Sequence, residues 1–254
     1  MDSGFYSAFT GFSSRLDELE LVANNLANTN TPGYKAQYAF YRALPAWLQE
    51  SLTTPLNEAV NRYGLLGGSR IDFTASNLET TGNPTDVALQ GSGFFAVQTK
   101  NGVRYTRNGN FQLNTKRQLV TVQGDLVLGE GGPIQTPSGQ AGPIQIPSGQ
   151  LTISEDGTVS VDGGMVGKLK VTEFSQDTSL NPEGSTYFAA PEGAGKASAD
   201  PRVREGALET SNANPVRAAV ALIDLQRTAQ MMEKALSIFH NEFNKTAAQD
   251  LPRV

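Results

Sequence analysis

Glu155 and Asp156 are the nearest approach to a catalytic carboxylate pair in this sequence. Glycoside hydrolysis needs two such groups facing each other across a scissile bond. Here Gly157 follows at once and short β-type runs flank the triplet, so a hairpin turn explains the acids better. His240 is the single histidine and cysteine is absent, which removes disulfides, thiolate metal sites and multi-histidine metal sites. No serine sits in a nucleophile elbow, and there is no P-loop or dinucleotide fingerprint. The glycines from Gly129 to Gly132 lack the following helix that would hold a phosphate. The expectation is a protein that is no enzyme and needs no cofactor, metal or small-molecule substrate.

Charge and hydropathy exclude two further classes. The formal charge is −5 and no basic block occurs, whereas phosphate-backbone binding needs clustered Lys and Arg. No nucleic acid is expected as a partner. No apolar run reaches the roughly 18 residues that cross a bilayer, so no membrane insertion is expected. Residues 1–21 lack the basic start and continuous apolar stretch of a secretory signal, and any exit from the cytoplasm is expected to use another route.

The remaining polar and aromatic residues read as structural. Tyr105 and Arg107 fall on one face of a strand, where Arg107 is placed to stack or to pair with a carboxylate. Phe94 and Phe95 point to opposite sheet faces, one into a core and the other to an interface or under a crossing segment. Trp47 is an anchor for an irregular segment or a hot spot against a neighbour. His240 lies off the main helical seam as a solvated or interface residue.

The elements that carry these residues divide the chain by pattern. From Ser3 to Asn28 the apolar residues Phe5, Phe9, Phe12, Leu16, Leu19, Ala23 and Leu26 step by four and three, a heptad seam. Thr31-Pro32-Gly33 ends that helix. From Asn214 to Lys245 the same stepping returns in Ala218, Leu222, Leu225, Ala229, Met232, Leu236, Phe239 and Phe243. A second stripe, Val216, Val220, Ile223, Met231, Ala235 and Ile238, runs beside it and widens the apolar face. Asn212 or Asn214 caps the helix with Pro215 at its first position.

Between the helices the pattern is β, with short runs such as Phe94–Val97, Leu151–Ile153 and Thr158–Val161 between Gly, Asn and Asp turns. The fold class is therefore α+β, with N- and C-terminal helices packing as a coiled-coil-like stalk and a central all-β domain. The expected divisions are 1–35, an axial helix and its turn; 36–79, an extended crossing segment; 80–205, a β-rich outer domain; and 206–254, a second axial helix. The nine residues Gly132–Gln140 recur almost letter for letter at Gly142–Gln150, a local duplication that lengthens a loop or strand edge.

Each helical seam needs a cover. The two helices could cover each other within one chain, or meet copies in neighbouring subunits and fold fully only on association. Intermolecular packing is the expectation. A β-domain adhesin with a helical stalk is the alternative from another class.

Specific residues point to a family. Ala23-Asn24-Asn25-Leu26-Ala27-Asn28-Thr29-Asn30-Thr31-Pro32-Gly33-Tyr34-Lys35 resembles the N-terminal signature of flagellar rod, hook and hook-associated proteins. Gly91-Ser92-Gly93-Phe94-Phe95-Ala96-Val97 and Tyr105-Thr106-Arg107-Asn108-Gly109-Asn110-Phe111 resemble the family's β-domain signature. Gly206-Ala207-Leu208-Glu209-Thr210-Ser211-Asn212, with Gln226-Arg227, resembles the C-terminal one. The resemblance implies a rod subunit exported unfolded through the flagellar type III apparatus, without a cleaved signal peptide. It further implies helical stacking into a hollow shaft across the periplasm, in contact with copies of itself and other rod and hook subunits. Chain length fits the proximal-rod and distal-rod types better than the longer hook protein, and between those two the opening Met1–Tyr6 resembles the proximal-rod type more. The family often has glycine where this chain has Ser76 and Arg117, and an acidic residue where it has Ala218.

Overall fold

The computed structural model describes residues 2–42, 65–130, 142–144, 146–147, 149–175 and 178–250. Trp47 and the first repeat copy lie outside them, and so do the side chains of Phe5, Phe239, His240 and Phe243. Two helices bracket a series of short strands. In order these are α1 (Asp2–Ala27), β1 (Gln37–Arg42), β2 (Leu65–Ile71), β3 (Leu78–Thr80), β4 (Val87–Leu89), β5 (Phe94–Thr99), β6 (Gly102–Thr106), β7 (Phe111–Leu113), β8 (Leu119–Thr121), β9 (Leu126–Gly129) and β10 (Gly142–Pro143). Then come β11 (Leu151–Ile153), β12 (Thr158–Val161), β13 (Gly164–Lys168), β14 (Val171–Glu173), β15 (Asn181–Glu183), β16 (Tyr187–Ala189), β17 (Lys196–Ala197), β18 (Val203–Glu205), β19 (Ala207–Glu209) and α2 (Pro215–Asp250). The chain is thus α+β, two helices and a mostly β centre.

These elements form two compact units: residues 1–27, 37–72 and 214–254, and residues 28–36 with 73–213. In the helical unit α1 packs on α2 and also on the antiparallel pair β1 and β2. The crossing segment, read from sequence as irregular, holds this pair, and Gln37–Arg42 carries the strand-favouring aromatics Tyr38, Phe40 and Tyr41. Asn25 fixes it to the helix: its Oδ1 accepts from the Gln37 amide at 2.9 Å and its Nδ2 donates to the Gln37 carbonyl at 2.7 Å. The Asn214 side chain accepts from the Arg217 amide at 3.0 Å, capping α2 with Pro215 at its first position.

In the β unit the main sheet runs β15-β16-β6-β5-β9-β8-β7, with β14 on β5, β17 on β14 and β10 on β9. The pairs are antiparallel throughout, as short loops demand. A three-stranded sheet β11-β12-β13 closes the core, turning from β11 to β12 at Glu155-Asp156-Gly157, where Gly157 has φ +82°. Phe95, Val97, Phe111, Leu119, Val127 and Val159 are almost completely buried in one cluster with Ile146 and Leu169. Phe95 meets Phe111 edge-on at 5.2 Å. Phe94, on the opposite face, is also buried, among Phe73, Phe174 and Phe188 at 5.5–5.7 Å. Both faces of β5 are therefore covered.

Candidate functional site

Two features stand apart from ordinary core packing: a buried clasp in the β unit and an open apolar face on the helical unit. The clasp is made from the three signature segments. The turn after α1 places Thr31 to Lys35 in the β unit, with the Thr31 amide donating to the Asn28 carbonyl at 3.1 Å and Gly33 at φ +68°. A Cβ on Gly33 would lie 2.3 Å from the Asn108 nitrogen and 2.4 Å from the Arg107 carbonyl carbon, so no other residue fits. The Gly33 amide donates to the Glu209 carbonyl at 2.7 Å, and the Ala36 amide to Asn212 Oδ1 at 2.7 Å. Tyr34 and Ala36 then bury against Ala213.

Glu209, 1% exposed at the end of β19, is the hub. Its Oε1 accepts from Lys35 Nζ at 2.7 Å and from the Ser76 amide at 3.0 Å. Its Oε2 lies 3.4 Å from Arg107 Nη1. Lys35 Nζ also donates to the Thr74 carbonyl at 2.7 Å, and Arg107 Nη2 to the Gly91 carbonyl at 2.6 Å. The Arg107 guanidinium lies 5.2 Å over the Phe94 ring. Burial lowers the Arg107 pKa, and the Glu209 carboxylate opposes that shift. One carboxylate thus faces two buried cations; the Thr74 and Gly91 carbonyls take one further donor each, and Arg107 Nε is buried without a hydrogen-bond partner. Losing one partner of such an arrangement leaves an uncompensated buried charge and is strongly destabilising.

Ser76 occupies one of the two positions at which the resemblance leads one to expect glycine. Its hydroxyl donates to the Ser211 carbonyl at 3.0 Å and meets Thr210 Oγ1 at 2.9 Å, which joins it to the clasp. Arg117, the other such position, has φ +59°, the left-handed conformation that glycine adopts without strain. Gly109 is equally constrained, since a Cβ would fall 1.6 Å from the Val87 carbonyl oxygen. Gly93 has φ +116°, Tyr105 packs on Phe174 at 4.8 Å, and Leu208 is buried on β19. Burial raises the pKa of Tyr34 and of Tyr105.

The second feature is the surface of the helices. Along α2, Ala218 and Ala229 are buried and Leu222, Leu225, Met232 and Leu236 half-buried. Val216, Val220, Ile223, Met231 and Ile238 are 50–71% exposed. At about 3.6 residues per turn these two sets lie on opposite sides of the helix, so the second stripe does not run beside the first, as its sequence pattern suggests, but forms a separate face. Along α1, Phe12, Leu19, Ala23 and Leu26 are half-buried, while Phe9 and Leu16 are 54% and 44% exposed. Asn24 is exposed and Asn25 buried; Gln226 and Arg227 are exposed on α2.

The clasp therefore gathers Gly33, Tyr34, Lys35, Arg107, Glu209, Ser211 and Asn212, while the helical seams and Gln226 and Arg227 belong to the helical unit. Sequence reasoning missed the Lys35–Glu209 pair, because a lysine after Pro-Gly-Tyr carries no local sign of burial. Among the described residues no three His, Cys, Asp or Glu side chains could hold a metal ion together. No helix there is long and apolar enough to cross a membrane.

Comparison with known proteins agrees with this layout. A model for flagella basal body rod proteins matches residues 5–35, one for the flagellar hook protein FlgE/F/G D1 domain matches residues 88–161, and one for the flagellar basal body rod FlgEFG C-terminal region matches residues 204–246. The chain is 34% identical to the flagellar basal-body rod protein FlgF of Salmonella typhimurium, over 95% of this chain and 96% of that protein. It is 35% identical to FlgF of Escherichia coli K12, over 93% and 94%. It is 29% identical to the rod protein FlgG of Borreliella burgdorferi, over 95% and 96%. These matches define a structural protein of the flagellum and not an enzyme. The chain belongs to the flagellar basal-body rod protein family, and the FlgF matches favour the proximal-rod type.

Proposed function

We propose that this rod subunit self-assembles helically through α1 and α2 to build the hollow drive shaft of the flagellum. The observation that carries the reading is the pair of opposite apolar stripes on α2. One stripe is occupied within the chain, and the other leaves five large apolar side chains open to water. A helix apolar on two sides is stable only as a layer between partners. The heptad steps on both helices support coiled-coil-like packing of the assembled termini. Phe5, Phe9, Phe12, Leu16, Leu19, Ala23 and Leu26 on α1, with Leu222, Leu225, Met232, Leu236, Phe239 and Phe243 on α2, are the proposed seam residues of the assembled helical layer, and the open stripe Val216, Val220, Ile223, Met231 and Ile238 is its proposed contact with neighbouring subunits. Copies of the chain and other rod and hook subunits are the proposed neighbours.

Apolar seams of this kind carry axial load and torque by packing, while the β unit sets lateral spacing. Passage through the flagellar type III export apparatus, without a cleaved signal peptide, is proposed as the route to a rod spanning the periplasm. Deletion of the gene, followed by motility assay and electron microscopy of basal bodies, tests the role. A missing or truncated rod supports it, and the break point reports proximal or distal position. Intact rods with normal swimming would overturn it.

A further inference from the structure

The duplicated segment carries an inference independent of the axial role. Residues 132–141 and 142–151 align without gaps, Gly-Pro-Ile-Gln-Thr-Pro-Ser-Gly-Gln-Ala against Gly-Pro-Ile-Gln-Ile-Pro-Ser-Gly-Gln-Leu. They differ only at Thr136 against Ile146 and at Ala141 against Leu151. In the second copy those two side chains are core: Ile146 is 1% exposed and Leu151 is 8% exposed, both in the main cluster.

The other contacts of the described residues of the second copy use backbone or shared residues. Gly142 and Pro143 pair with Gly129 and Leu128. The Leu119 amide donates to the Ile144 carbonyl at 3.1 Å, and the Ile146 amide to the Arg117 carbonyl at 2.7 Å. Arg117 Nε donates to the Ile146 carbonyl at 2.8 Å, and its Nη2 reaches the Pro147 carbonyl. Gly149 stands where a Cβ would lie 2.2 Å from Asp162 Oδ2, and the first copy also has glycine there, Gly139. At each of these positions except Ile146 the first copy has the same residue as the second.

We propose that either copy fits the slot by backbone and that Ile146 and Leu151 assign it to the second. The first copy is then a ten-residue insertion dispensable for the fold. The register supports this: removing residues 132–141 leaves only Glu130 and Gly131 between the paired Gly129 and Gly142, a two-residue hairpin loop, the commonest kind.

Two deletions in the otherwise complete chain test it. Deleting 132–141 and deleting 142–151 give proteins of equal length and loop, differing only in Ile-and-Leu against Thr-and-Ala at the two core positions. In thermal unfolding followed by circular dichroism, the first deletion is expected within a few degrees of the natural chain. The second is expected to fold but to melt about 10 °C or more lower, from buried Leu→Ala and Ile→Thr changes. Failure of the first deletion to fold would make the first copy part of the fold and overturn the proposal. Equal melting of the two deletions would remove the selecting role of Ile146 and Leu151. A second deletion that does not fold would show that the slot rejects the first copy's backbone even without competition.

Discussion

The β unit and the helical unit use apolar residues in opposite ways. In the β unit Phe95, Ala96, Val97, Val127 and Val159 show no exposed surface, and both faces of β5 are covered from within the chain. In the helical unit Val216, Met231 and Ile238 are more than 60% exposed. The first unit completes its own core; the second leaves large apolar side chains open, the surface that the proposed assembly would cover. Under the proposed assembly, folding and association would be written in different residues of one chain.

Substitutions can break that comparison, the largest effects first. Glu209→Ala leaves Lys35 and Arg107 buried without their carboxylate and is expected to cost about 3–5 kcal/mol of β-unit stability in denaturant unfolding. Phe95→Ala, which opens a cavity beside Phe111, is expected to cost a similar amount, about 3–5 kcal/mol. A loss below about 1 kcal/mol for either would mean the β unit is not self-sufficient.

Ile223→Asp is the converse. Because Ile223 is half-exposed, the purified subunit should lose no more than about 0.5 kcal/mol, yet the variant should be missing from basal bodies on immunoblot. Leu225→Asp and Leu16→Asp are also expected to block incorporation while leaving a folded β unit. Normal incorporation of all three would remove the helix faces from assembly.

A pH effect sharpens the same contrast. The Tyr187 hydroxyl lies 2.9 Å from Asp125 Oδ2 and 2.7 Å from Thr121 Oγ1, and burial pushes its pKa well above the ordinary 10.0. Tyr34 and Tyr105 are raised by burial too. The folded state keeps these protons after the unfolded chain has begun to release them. Stability should therefore be fully present below about pH 10 and fall as pH rises beyond it. Tyr187→Phe should flatten that alkaline fall in melting curves of the β unit. The smallest effect is expected for Arg117→Gly, where relief of the φ +59° backbone offsets lost bonds to Ile146 and Pro147, a net change within about 1 kcal/mol.

Periodicity made the helices legible, since heptad steps and the Asn214-Pro215 start are local signals. The β centre and the Glu155-Asp156-Gly157 turn were legible for the same reason. Strands β1 and β2 were not, because their pairing joins segments separated by more than twenty residues and neither strand is long. The clasp was visible only as motif: Arg107 was marked for a carboxylate, but nothing near it in sequence names Glu209. Local pattern reports which face is apolar, and not how much of that face the chain itself will cover.

The Lys35–Glu209 contact spans 174 residues, and Gly33, Arg107 and Glu209 come together only when nearly the whole chain is present. Bringing such distant groups together carries a large loop-closure entropy, so this step is slow beside the formation of α1 or of the β11–β12 hairpin. A chain handled from its N-terminus cannot fasten the clasp until residue 209 has arrived. Until then the three signature segments stay unjoined, and α2, which follows residue 209, completes the helical unit later still.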